Sequence, residues 1–198
     1  MTPNRKIDML NVGELIQQLE ARKITPTRFS IDLPKDQLAN ALYASYVAEV
    51  RLRHRDMVLD DETKSHIRVA AEWLGDASGK FGFMMTGLYG NGKTTLLMAM
   101  CNLINYLFDS CSSNDRKSIR VIKAKDIARM SIDRELRDSY EKLYHEELLA
   151  IDDVGEEPAE IISYGMIYTP LRDLLEERYV RQKMTIITTN LIQNKEKK

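Results

Sequence analysis

Only two cysteines, Cys101 and Cys111, occur in 198 residues. That is too few for a disulfide framework, and their spacing matches neither a metal site nor a redox motif. The three histidines, His54, His66 and His145, stand apart from one another, which excludes a histidine-rich metal motif. No apolar run approaches the roughly 18 residues of a membrane span, so no membrane partner is expected. Neither sign of charge dominates: 29 Lys and Arg face 30 Asp and Glu, for a net charge of −1. A uniformly basic surface for nucleic acid is thereby excluded, and any such contact must come from local patches. Residues Met1 to Lys6 lead into mixed polar sequence without a signal-peptide core. With two lone thiols and ten methionines, the expectation is a protein of the reducing cytoplasm. There is no internal repeat and no long low-complexity tract. What remains is a globular composition, 43% hydrophobic and 30% charged, in a chain long enough for one main core and a small appendage.

Against that plain background one segment is specific. Gly87-Leu88-Tyr89-Gly90-Asn91-Gly92-Lys93-Thr94 is a complete G-x-x-x-x-G-K-T phosphate loop. Its glycines let the backbone curl so that successive N–H groups face anionic oxygens, together with the N–H of Thr95 at the helix start. Lys93 supplies a positive charge for the β- and γ-phosphates, and the Thr94 hydroxyl is a ligand type for Mg²⁺. The flanks supply the context the loop requires. Phe81 to Thr86 is a short apolar run that predicts a buried strand, and Leu96, Leu97, Met100, Leu103, Ile104 and Leu107 have helical spacing over Thr95 to Phe108. The chain is therefore expected to bind ATP with Mg²⁺.

Residues 1–75 read as a helical N-terminal region and residues 76–198 as the nucleotide-binding core. Val12, Leu15, Ile16 and Leu19 mark a short amphipathic helix, and residues 26 to 34, between Pro26 and Pro34, an extended connector. A second helix starts near Asp36 with Leu38, Leu42, Tyr46 and Val50 on one face. A third starts near Asp61 or Thr63 and presents Ile67, Ala70, Ala71 and Leu74. Beyond Phe81, strand and helix alternate. Ile119 to Ile122 is the second strand, after a polar loop from Asp109 to Lys117. Asp126 to about Tyr144 is read as one helical stretch, and Leu148 to Asp152 as the third strand. Thr169-Pro170 supplies N-cap and N1 of a helix through Leu171, Leu174, Leu175 and Tyr179. Met184 to Thr189 is the fourth strand. Apolar strands alternating with helices imply a parallel sheet covered on both faces, an α/β fold of three layers, α/β/α.

A phosphate loop needs a carboxylate for its metal, supplied from the end of a neighbouring strand. Leu148 to Ile151 followed by Asp152-Asp153 meets that need, because an apolar strand tolerates adjacent acids only where it emerges beside the ligand. Asp152 is the candidate magnesium carboxylate, acting through a metal-bound water. Asp153 is the candidate for orienting or deprotonating the attacking water. An acidic turn that merely ends a strand is the alternative. Asn190, after Thr188-Thr189, is placed to bond the γ-phosphate or the water, or is an ordinary strand end.

These segments together carry a resemblance. Gly87 to Thr94, the run Leu148-Leu149-Ala150-Ile151-Asp152-Asp153-Val154-Gly155, and Ile186-Ile187-Thr188-Thr189-Asn190-Leu191 are similar to the DnaC/IstB-like branch of the AAA+ ATPases. That branch contains bacterial helicase loaders and the ATPase subunits of some transposons. Leu171 to Tyr179 resembles the helix that lies between the latter two segments in that family. The resemblance covers about residues 80 to 192. It implies a P-loop NTPase with Mg-dependent ATP hydrolysis, Asp152 and Asp153 as the Walker B pair and Asn190 as sensor 1. The second acid is Asp where most AAA+ proteins carry Glu, one methylene shorter. The resemblance also implies a further strand and a helical lid after sensor 1, so the reading expects an AAA+ core truncated at that point, without the family's arginine finger. Arg172, Arg178 and Arg181 are read as surface ion-pairing residues on a helix rather than as fingers.

By the same resemblance the partners would be further copies of the chain through the ATPase core, and a replicative helicase or a transposase through the N-terminal region. Single-stranded DNA is a further candidate. Arg51, Arg53, His54 and Arg55 form one basic run, and Arg116, Lys117, Arg120, Lys123, Lys125, Arg129, Arg134 and Arg137 a second group. Asp115, Asp126, Asp133, Glu135 and Asp138 interleave with the second group, which fits a mixed solvated face equally well. Two other functions stay open: a nucleotide-gated binding module with little turnover, and a P-loop small-molecule kinase, which would be expected to carry an arginine-rich lid.

Overall fold

The computed structural model describes residues 11–22, 28–58, 60–109, 117–163 and 166–191. Its centre is a four-stranded parallel sheet of β1 (Gly82–Thr86), β2 (Ile119–Lys123), β3 (Leu148–Val154) and β6 (Met184–Thr189), in the order β1-β6-β3-β2. Side chains of β3 alternate between two cores, as a strand period of two demands. Leu148 and Ala150 pack with α2 (Lys35–Leu52), α3 (Asp61–Gly75) and α4 (Lys93–Asp109) on one face. Leu149 and Ile151 pack with α5 (Ala124–Ile132), α6 (Arg137–His145) and α7 (Pro170–Val180) on the other. The expected three-layer α/β/α arrangement is present.

Several local expectations hold for stated reasons. The N-cap Asp60 accepts a 2.7 Å bond from Thr63 N, which fixes the start of α3, and Ile67, Ala70, Ala71 and Leu74 are all buried. α1 (Val12–Arg22) forms, but Val12, Ile16 and Leu19 on its apolar stripe are exposed. The connector before α2 forms no strand over its described part and bends at Leu33, whose N–H donates to Ile31 O at 3.0 Å. Arg28 anchors it, with its guanidinium 4.5 Å over the Trp73 ring and donating to the carbonyls of Lys80, Trp73, Phe29 and Asp76.

Four expectations are corrected. β1 is not buried: it has a strand neighbour on one side only among the described residues, and Met84 is half exposed. The stretch Asp126 to Tyr144 is two helices, because Asp133 takes an extended conformation and its carboxylate accepts Glu135 N at 2.9 Å in a local turn. An antiparallel hairpin, β4 (Ile161–Ser163) with β5 (Met166–Tyr168), occupies the link between β3 and α7, where no strand was expected. In α7 the register places Tyr179 in solvent and Arg178 inside. Part of the polar loop before β2 lies outside the described residues, including Cys111, Asp115 and Arg116. No helix among the described residues is long and apolar enough to cross a membrane.

Candidate functional site

The loop between β1 and α4 carries positive φ at Gly90 (83°) and Gly92 (74°), conformations that side chains with a Cβ rarely adopt. At Gly92 a Cβ would also sit 2.9 Å from the Tyr46 hydroxyl, which would have to shift, so the backbone conformation is the main reason for glycine there. Lys93 Nζ lies inside the curl, donating to Gly87 O at 2.9 Å and Leu88 O at 2.7 Å. α4 starts at Lys93, so the unbonded N–H groups of its first turn face the same loop, an arrangement that favours anions.

β3 and β6 deliver the rest from the carboxyl edge of the sheet. Asp152 is buried, and its Oδ1 accepts two hydroxyl bonds: one from Thr94 at 3.0 Å and one from Thr188 at 2.5 Å. The candidate metal ligands Thr94 and Asp152 are therefore in direct contact across 58 residues of sequence. A buried carboxylate is costly unless bonded, and these two hydroxyls satisfy one of its oxygens. Thr188 Oγ1 also accepts the backbone N–H of Asp153 at 2.9 Å, so one threonine on the central strand sets both acids. Sequence reasoning did not assign Thr188 this role. A hydroxyl closing an otherwise apolar strand was the available signal.

Asp153 has φ 59° and sits where the register of β3 against β6 slips between Ile151 and Val154. The slip turns its carboxyl out of the ladder toward the loop. Partial burial raises its pKa above the ordinary carboxylate range, with further upward pushes from Asp152 and Glu156 and opposing pulls from Lys123 and Lys93. Asp153 and Asn190 share a cavity of about 290 Å³ with Tyr89, Gly90, Asn91, Gly92, Lys93, Thr94 and Thr95. A second cavity of about 430 Å³ adjoins it through Asn91, Gly92 and Lys93 and is walled by Tyr46, His66 and Met84. Rooms of this size suit small-molecule ligands. Every residue expected at the site is thus at or beside one loop. The donor set fits a nucleotide and a hard divalent cation: a backbone N–H cradle, one ammonium, one hydroxyl and one carboxylate.

Two further residues line that cavity that were not expected there, Arg53 and Arg55. Of the other arginines, Arg172 and Arg181 make the surface pairs expected of them, with Glu176 at 2.8 Å and Glu177 at 2.6 Å. Arg178 does not. It is 1% exposed and donates to Leu143 O, Glu146 O, Met184 O and Thr185 Oγ1 at 2.7 to 2.9 Å. In the second basic group, Lys117 pairs with Glu147 and Arg120 with Glu146, while Arg137 pairs with Glu141. Those three cations already have acidic partners.

No family's sequence profile matches the chain, and no curated protein matches it in sequence. In three dimensions it is similar to the crystal structure of DnaI, with 20% identity and a TM-score of 0.51, covering 82% of this chain and 78% of that one. It is also similar to the replication initiator DnaA bound to AMPPCP and single-stranded DNA, with 17% identity and a TM-score of 0.50. That likeness covers 68% of this chain and 40% of the other, so the chain spans well under half the initiator's length. At these identities the likeness shows the fold alone, an α/β fold with a parallel sheet between helices.

Proposed function

We propose that the chain is an ATP-binding, ATP-hydrolysing protein of the DnaC-like AAA+ kind, acting in DNA replication as a helicase loader or in DNA transposition. The observation that carries this reading is the contact of Thr94 with Asp152 beside the looped-in Lys93. A phosphate-loop hydroxyl, a strand-end carboxylate and an ammonium at one sheet edge are the groups that hold a metal-bound triphosphate. When bound, Mg²⁺ would neutralise charge on the β- and γ-phosphate oxygens. Gly87 to Thr95 would hold the phosphates through N–H groups, and Thr94 and Asp152 would hold the cation. Lys93 would stabilise charge developing on the transferred phosphoryl group. Asp153 would align a water and take its proton, a task favoured by its raised pKa. Asn190, on the same cavity wall, would bond the γ-phosphate or that water.

Residues 1–75 would bind the partner protein, a replicative helicase or a transposase, and the exposed apolar stripe of α1 supports that role. Copies of the chain would associate through the ATPase core, and single-stranded DNA is the proposed nucleic-acid ligand. The test is phosphate release from Mg·ATP, with and without single-stranded DNA. Slow release that DNA changes, lost in Lys93→Ala, is the expected result. Tight nucleotide binding with no release would favour the gated binding module, and absence of nucleotide binding would sink both readings.

A further inference from the structure

α2 ends in a six-residue closure that positions two arginines. His54 N donates to Arg51 O at 2.9 Å and Arg55 N to Val50 O at 3.3 Å, with His54 itself at φ 53°. This is the paired-bond C-terminal cap usually built on glycine. It puts Arg53 at the cap and Arg55 two residues on, and both residues line the phosphate-loop cavity. Arg53 is held there from both sides. Its Nη1 donates to Thr95 Oγ1 at 2.6 Å, and its Nη2 lies 3.5 Å from Glu49 Oε2.

Glu49 is a buried carboxylate, 6% exposed, and also accepts from the Asn102 amide of α4. A buried acid needs a countercharge, so Glu49 and Asn102 together fix where the Arg53 guanidinium points. Arg55 makes no ion pair or side-chain hydrogen bond among the described residues. The cavity therefore has two cations from the helical region preceding the core, in addition to Lys93.

We propose that Arg53 and Arg55 bind the polyphosphate of the nucleotide in cis, with Glu49 and Asn102 as positioning residues for Arg53. The inference rests on the ATP-binding reading above and extends it. A planar guanidinium with several donors suits phosphate oxygens better than a solvated surface role. It also means that part of the cationic environment comes from the same subunit and not from a neighbour. The Arg51 to Arg55 run, which the sequence alone offers as a DNA patch, is on this account divided. Arg53 and Arg55 serve the nucleotide.

The test is calorimetric titration of the full chain with a non-hydrolysable ATP analogue and with ADP, and with single-stranded DNA in parallel. Arg53→Gln and Arg55→Gln should each weaken analogue binding about tenfold, the scale of one charge-assisted hydrogen bond. Arg53→Lys should recover part of the loss. Because Arg53→Gln strands Glu49 and lowers thermal stability by itself, Arg55→Gln is the cleaner variant; its melting temperature without nucleotide should equal that of the wild type. Wild-type analogue affinity in both Arg55→Gln and Arg53→Gln, while Lys93→Ala no longer binds, would overturn this inference and leave the phosphate-loop reading intact. Loss of DNA affinity with analogue affinity unchanged would overturn it in favour of a DNA patch. A wild type that binds no nucleotide would remove the reading on which the inference rests.

Discussion

Two buried charges sit at opposite ends of β6, and they differ in how completely the protein satisfies them. At the start of the strand, Arg178 of α7 spends its guanidinium on three carbonyls and the Thr185 hydroxyl, all from α6, the residue that follows it, and β6. Burial lowers its pKa to about 10, still far above neutrality, so the cation persists and ties those elements together. At the far end, Asp152 receives two hydroxyl bonds, both on Oδ1, beside an ammonium and a cradle of N–H groups. The first cluster is closed by its own chain; the second borders a cavity through Thr94 and Lys93. A charge with every nitrogen bonded inside the protein serves architecture, and one bonded on a single oxygen beside a cavity serves a ligand.

Breaking each cluster should give opposite signatures. Arg178→Met orphans several buried acceptors and should destabilise the fold by ~3–5 kcal/mol. Urea unfolding would measure this, while nucleotide affinity of the remaining folded protein stays unchanged. Asp153→Asn should do the reverse, leaving nucleotide binding and fold intact while slowing hydrolysis by roughly 10²–10³, the scale for one group acting in the transition state. Normal turnover in that variant, measured by phosphate release, would remove Asp153 from the chemistry. Thr188→Val deletes the shared hydroxyl and should cost ~1–2 kcal/mol by losing its bonds to Asp152 and to Asp153 N. Urea unfolding of that variant beside Arg178→Met would show whether the open cluster is the less costly to break.

The smallest effect is one of pH. Because the folded-state pKa of Asp153 is raised, the folded protein holds that proton more tightly than the unfolded chain. Its charged form is therefore unfavourable above the folded pKa, and the penalty disappears below the unfolded value. Asp153→Asn should raise the melting temperature near neutrality, with the gain over wild type shrinking as pH falls through the carboxylate range. A gain independent of pH would assign the effect to the strained backbone at that residue instead.

The phosphate loop, the limits of β6 and the buried faces of α3 and α4 were all legible in sequence. Each depends on local spacing, and Met184 to Thr189 was read to the residue. What was missed depends on contacts far apart in the chain. Nothing near Arg53 points to Thr95, 42 residues away, and the C-terminal cap that aims it uses His54 where glycine would have signalled a turn. Arg178 did leave a trace, since it follows Leu171 by seven residues and Leu174 by four, on the buried face of α7. Its charge argued for the surface more strongly than its register argued for the core. The β4–β5 hairpin is three residues a side, too short for a periodic signal.

The central claim is that Lys93, Thr94 and Asp152 act together on one metal-bound nucleotide. Calorimetric titration of the wild type and Asp152→Asn with a non-hydrolysable ATP analogue, in Mg²⁺ and in chelator, tests it most directly. The account predicts that Mg²⁺ tightens binding to the wild type and makes no difference to Asp152→Asn. An equal benefit from Mg²⁺ in both proteins would contradict it.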